Sequence, residues 1–138
     1  MSEKKYSKKY LDDLFEGKIK RLKGQPTYVR DHVRVVLNET AKEYNLTHPI
    51  ELFTNTREMT YVKPRRVALT LVRDLVGLPF TGIASLFGFK DHTAPLHAYK
   101  LVRAEMEAGP ALCRTVRNIL ECVHEIQVEV EEDQSSSL

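Results

Sequence analysis

The sequence predicts an all-α fold, and three observations carry that expectation. Apolar residues recur every three or four positions through most of the 138-residue chain. Glycine and proline, at Gly24-Gln25-Pro26, Gly77-Leu78-Pro79 and Gly109-Pro110, separate those periodic runs. Between two runs, Leu86-Phe87-Gly88-Phe89-Lys90-Asp91-His92-Thr93 reads as the end of a short helix, a glycine turn and the start of another helix.

A chain of this length suits one domain and can bury a core without a metal or a disulfide. Its two cysteines, Cys113 and Cys122, lie nine residues apart on one predicted helix. At about 100° per residue they sit on opposite sides of it, so they are expected as reduced thiols. The formal net charge of +2 conceals an asymmetry. Residues 1–30 hold nine Lys/Arg against four Asp/Glu, and residues 121–138 hold six acids with no Lys or Arg. The basic end suits a polyanion and the acidic end repels one. The first residues lack the apolar core of a signal peptide and no apolar run approaches a membrane span, so a soluble intracellular protein is expected.

Residues 1–23 form a basic, partly amphipathic helix in this reading, with Tyr6, Tyr10, Leu14, Phe15 and then Leu22 at helical spacing. Gly17 weakens it. Gly24 to Thr27 marks a boundary, and the compact body begins near Tyr28. Val33, Val36, Leu37, Ala41 and Tyr44 share one helical face, which Asn45 ends. Thr47 caps a short helix through Pro49 to Phe53. Thr54 to Lys63 is a polar loop containing Arg57, and Pro64 opens the next helix. Its buried face is Ala68, Leu71, Val72 and Leu75, leaving Arg65, Arg66 and Arg73 partly free. Gly77 ends it, and a short helix from Thr81 to Phe87 turns Ile83, Leu86 and Phe87 inward. In the helix from Asp91 to Met106, Thr93, His97, Lys100 and Ala104 fall on one face. Tyr99, Val102 and Met106 lie opposite, near Pro95 and Ala98. After Gly109-Pro110, Leu112, Val116, Ile119, Val123, Ile126 and Val130 make a narrow seam. That seam packs on the body or pairs with a protein partner or a second copy. From Glu131 onward the acidic tail is expected to be disordered.

The helix pair around Gly88 implies duplex DNA as ligand. Asp91, His92 and Thr93 open a helix, where side chains exchange hydrogen bonds with base edges and backbone phosphates. An apolar back and a polar or small front is the division a reading helix needs. Lys63-Pro64-Arg65-Arg66 places a second basic group at a helix start, unfavourable with the helix dipole unless an anion is near. Catalysis is not expected. His32, His48, His92, His97 and His124 form no His-Glu-x-x-His motif, and no carboxylate pair or nucleophilic cysteine setting appears. No metal or cofactor is expected either.

From about Val33 to Val123 the chain resembles the C-terminal DNA-binding domain of the bacterial replication initiator DnaA. The resemblance rests on Pro64-Arg65-Arg66-Val67-Ala68, then Leu71, Arg73 and Leu75, then Gly88, Lys90, Asp91-His92-Thr93, His97-Ala98 and Lys100. It implies a helix-turn-helix in which Asp91, His92 and Thr93 contact bases in the major groove. It implies that Arg65 points at the DNA, that Arg57 enters the adjacent minor groove, and that Arg66, Lys90 and Lys100 hold phosphates or flanking positions. His97, on the same face of its helix as Thr93 and Lys100, is expected either close to the DNA or as a packing residue. The side-chain chemistry agrees: arginine binds guanine bidentately, threonine bonds a base or touches a thymine methyl, and arginine reads a narrow minor groove.

The chain departs from the pattern at Phe89, where a second glycine is common, and at Ala94 and Pro95, where a hydroxyl and a β-branched residue are usual. It also has no Gly-x-x-x-x-Gly-Lys-Ser/Thr phosphate loop, so ATP binding and origin melting by this sequence alone are not expected. The expected organisation is a basic N-terminal arm or helix over 1–27, a helix-turn-helix domain over 28–124 and an acidic tail over 125–138. The expected function is sequence-preferring duplex binding in replication initiation or its regulation, in the bacterial cytoplasm at the nucleoid, for a chromosome, phage or mobile element. The alternatives are a transcriptional regulator using the same reader and a protein-interaction module that has lost DNA binding.

Overall fold

The computed structural model of the chain describes residues 6–136, with side chains from 6 to 126. Among the described residues every regular element is helical, so the fold is all-α as expected. The elements are α1 (Lys8–Ile19), α2 (Thr27–Glu43), a 3-10 turn (Pro49–Phe53), α3 (Met59–Leu71) running into a π-helical turn (Val72–Val76), α4 (Phe80–Phe87), α5 (Thr93–Ala108) and α6 (Pro110–Ser136). No described helix is long and apolar enough to cross a membrane.

The axle of the molecule is α3, whose Val67, Ala68, Leu69, Thr70 and Leu71 are all buried. A helix enclosed on consecutive positions is surrounded, and α3 packs against α2, the 3-10 turn and α5. The Thr70 hydroxyl donates to the Arg66 carbonyl at 2.8 Å, which satisfies it inside the core. Pro64 does not open α3, as the sequence suggested; it lies inside, five residues after Met59. Proline removes the hydrogen bond to the carbonyl four residues earlier. That carbonyl belongs to exposed Thr60, close to solvent, while Pro64 itself is buried. Glu58 offers no side-chain cap, which hid the true start.

The far end of α3 widens into the π turn before Gly77, which caps it at φ 80°. Ala68, Leu71 and Val72 are buried as expected, but Leu75 is 36% exposed. The wider turn breaks the 3.6-residue register on which Leu75 was placed.

Helix α2 ends as its sequence indicates. Asn45 takes φ 58°, and the Leu46 amide donates back to Ala41 O at 2.9 Å. This pair of features closes the helix with a left-handed residue and a six-to-one bond. The following turn is capped by His48 rather than by Thr47. Its Nδ1 accepts from the Ile50 amide at 3.0 Å, so Nε2 carries the proton and donates to Asp12 at 2.7 Å.

Helix α1 packs into the body instead of standing off it. Ser7 Oγ accepts from the Tyr10 amide and starts it. Phe15, Ile19 and, just beyond, Leu22 are buried in the shared core. Glu16 receives a two-pronged bond from Arg34 at 2.7 Å. Tyr6, Tyr10 and Leu14, which dominated the sequence pattern, are the exposed stripe instead.

The seam of α6 is used within the molecule: Leu112, Val116, Ile119 and Val123 join the core, where α6 lies along α2 and touches α5. The side chains from 127 onward, Val130 among them, lie outside the described residues; the α6 backbone continues to Ser136, through positions from Glu131 where disorder was expected. Cys113 and Cys122 are free thiols.

Candidate nucleic-acid interface

The turn between α4 and α5 is closed by two bonds. The Gly88 amide donates to Ser85 O, and the Phe89 amide donates to Ala84 O at 2.8 Å. This closure needs a left-handed residue at position 88, and Gly88 has φ 76°. Phe89, where the pattern usually has glycine, packs its ring toward Phe87 with centroids 6.2 Å apart. The bulk that departs from the pattern is thus turned to the core.

After the turn, Lys90, Asp91, His92 and Thr93 are exposed in succession. Asp91 is the residue that organises them: its Oδ1 accepts from the Thr93 amide at 2.9 Å. The same bond, with the Thr93 side chain and the nearby His92 charge, holds the Asp91 carboxyl below its ordinary value. Thr93 is the first residue of α5. Pro95, at the third position, is buried and sits where the backbone N–H has no helical partner in any case.

Along α5, Pro95, Ala98 and Val102 are buried while Thr93, His97, Lys100 and Ala104 are exposed. The division expected from the sequence is the one found. The back of α5 is further tied to the π turn: Tyr99 OH donates to Asp74 Oδ1 at 2.7 Å, and Arg103 donates to Asp74 Oδ2 at 2.6 Å.

Stacked rings bring the root of the Arg57 loop against the end of α4. Phe53, which ends the 3-10 turn, stacks on Phe87, which ends α4, with centroids 4.9 Å apart. The loop leaves from one ring and the Gly88 turn from the other. Arg57 is exposed on the loop. The Glu58 amide donates to Thr56 Oγ1, and Arg65 Nη1 donates to the Thr54 carbonyl at 2.6 Å. Arg65 is therefore half-buried and braces the loop that carries Arg57. Burial first, and the neighbouring Arg66 charge second, lower its pKa. Arg66 lines a shallow groove with Met59, Lys63, Leu101 and Glu105.

One residue at this surface has no counterpart in the sequence expectation. Arg21, at the end of α1, donates from Nη1 to the Leu86 carbonyl at 3.1 Å. Sixty-five residues separate the two, and nothing in local spacing signals the contact. The larger cavities lie elsewhere. One of about 410 Å³, between α3 and the α5–α6 junction, is lined by Tyr44, Lys63, Glu105 and residues 108–112 and includes none of Thr93, His97, Lys100 and Ala104.

Comparison with known proteins places these elements in a family. The family described as bacterial dnaA protein helix-turn-helix matches residues 33–102, from α2 to the middle of α5. The chain is 35% identical over 104 residues to the chromosomal replication initiator protein DnaA of Rhizobium meliloti (strain 1021), covering 74% of this chain and 21% of that protein. It is 31% identical over 104 residues to the protein of the same name from Xanthobacter autotrophicus, covering 75% and 20%. With that of Bartonella quintana the identity is 32% over 101 residues, covering 70% and 20%. The chain spans about a fifth of the length of these relatives. By the extent of the family match, which covers half of the chain and takes in α3, α4, the Gly88 turn and the start of α5, the chain belongs to the DnaA helix-turn-helix family of DNA-binding domains.

Proposed function

We propose that the chain binds double-stranded DNA with sequence preference, placing the N-terminal end of α5 in the major groove and the Arg57 loop in the adjacent minor groove. The observation that carries this is the exposed run Asp91-His92-Thr93, held on a glycine-closed turn with the apolar side of α5 buried behind it. His92 and Thr93 meet base edges. Asp91 holds the Thr93 amide just ahead of α5 and accepts from an exposed base amino group. Lys90, Lys100 and Arg66 neutralise phosphates, and His97 lies against the same strand. Arg65 serves two ends: its guanidinium fork faces the DNA while one arm steadies the Thr54 carbonyl and with it the Arg57 loop.

The setting is initiation of DNA replication or its control, on a chromosome or on a phage or other mobile element, in the bacterial cytoplasm. Only a fifth of each related initiator is matched, so the part proposed for this chain is recognition and occupancy of a site.

Selection of bound sites from a random duplex pool, followed by sequencing, tests the proposal. An asymmetric motif should emerge, because a single α5 reads one half-site. A pool that remains random after selection at low salt sinks it. Arg65→Ala should lower affinity for the recovered site by roughly 1–3 kcal/mol and relax its sequence preference. An Arg65→Ala protein with the parent's preference removes Arg65 from the interface.

A further inference from the structure

We infer that the carboxyl end of α1 is a second phosphate-binding element, in which Arg21, with Lys20 and Lys23, grips the backbone strand flanking the groove entered by α5. This rests on the duplex-binding proposal above and extends it to residues outside the family match.

Between positions 18 and 23 the chain reads Lys18-Ile19-Lys20-Arg21-Leu22-Lys23. Ile19 is 0% and Leu22 3% exposed, so two apolar anchors fix the segment to the core. It cannot swing as a loose arm. With those two side chains turned inward, Lys20, Arg21 and Lys23 are turned out and exposed.

Of the three, Arg21 is tied to the Gly88 turn. Its Nη1 lies 3.1 Å from the Leu86 carbonyl and 3.1 Å from where a Cβ on Gly88 would stand. Lys90 follows Gly88 by two residues, hence by at most about 7.6 Å between α-carbons. Arg21 therefore reaches the same turn that carries exposed Lys90 into α5. Guanidinium offers five N–H donors in a planar fork. One serves the Leu86 carbonyl, and the outer edge remains for a bidentate bond to phosphate.

Capping the end of α4 explains why Arg21 is pinned. It does not explain the lysines. Among the described residues Lys18, Lys20 and Lys23 have no ion-pair partner, and the nearby acid Glu16 is engaged by Arg34 at 2.7 Å. Four like charges in six residues repel one another in the free protein, and a polyanion relieves that repulsion. Because the patch continues into the helix-turn-helix itself, the polyanion it meets is the backbone of the duplex held by α5.

The test is the salt dependence of duplex affinity, measured by fluorescence anisotropy from 50 to 200 mM salt on a selected and a scrambled duplex. Arg21→Gln should weaken both on the order of 3- to 10-fold and flatten the slope of log K against log salt by about 0.9. Arg21→Lys should restore the slope. The double variant Lys20→Gln/Lys23→Gln leaves the Gly88 turn untouched and should flatten it by up to about 1.8 at unchanged Tm. Unaltered slopes in a parent that binds duplex overturn this inference alone. Loss of base preference at constant slope in Arg21→Gln also overturns it, since Arg21 would then only brace the turn. A parent that binds neither duplex overturns the proposed function and this inference together.

Discussion

At the residue scale, Gly88 and Asp91 shape the exposed start of α5. Gly88 and Gly77 share a left-handed backbone, at φ 76° and 80°, but differ in surroundings. A Cβ at Gly77 meets nothing within 4 Å, whereas one at Gly88 meets the tip of Arg21. Gly77→Ala and Gly88→Ala should each cost about 1–2 kcal/mol of stability from backbone strain. Only Gly88→Ala should also weaken duplex binding, because it displaces Arg21 and the turn; equal binding by the two variants would separate the turn from the interface. Asp91 makes a pH prediction. Its folded-state pKa is depressed, chiefly by the Thr93 amide, so the cap is present at neutral pH and lost as pH falls through that lowered value. The amide resonance of Thr93 should titrate with a midpoint below 3.8, the ordinary value for the group. A midpoint at or above it would mean that the capping bond is absent in solution.

At the scale of elements, the orientation of α5 depends on what grips its back. Buried Pro95, Ala98 and Val102 supply apolar adhesion, and the Asp74–Tyr99–Arg103 group supplies direction. Hydrogen bonding by Tyr99 raises the Arg103 pKa first, and the Asp74 charge contributes after the burial penalty. The group is exposed, so its energy is modest. Asp74→Ala should lower stability by no more than about 1 kcal/mol, yet reduce discrimination between a selected and a scrambled duplex, since α5 is then free to tilt. Unchanged discrimination, measured by competition binding, would show that apolar packing alone sets the helix. The π turn that carries Asp74 fits this role, because its wider winding departs from the α-helical register there.

For the whole molecule, α1 is part of the body. Its Phe15 ring lies 6.2 Å from Phe53, and Phe53 stacks on Phe87, so an aromatic ladder runs from α1 to the Gly88 turn. Ile19→Ala should therefore cost about 2–5 kcal/mol, the range for emptying a buried aliphatic site. Thermal or chemical denaturation measures it. A cost within about 0.5 kcal/mol of zero would mean that α1 is detached in solution. Removing residues 1–25 should destabilise the fold as well as weaken DNA binding, because Phe15, Ile19 and Leu22 leave the core together.

Local chemistry alone determined the helical fold class, the Asn45 and Gly88 helix ends and the two faces of α5. Helical period and left-handed turn residues act within a few positions of themselves, so they are legible in a chain read end to end. The exposed Lys90-to-Thr93 run was legible for the same reason. Only the tertiary structure decided that Pro64 lies inside α3, that Leu75 faces solvent past a π turn, and that Arg65 braces the Arg57 loop. It alone set Phe53 on Phe87 and Arg21 against Leu86. These depend on which surfaces meet across tens of residues, and no local preference encodes that meeting: burying Ile19 and Leu22 required the core they join.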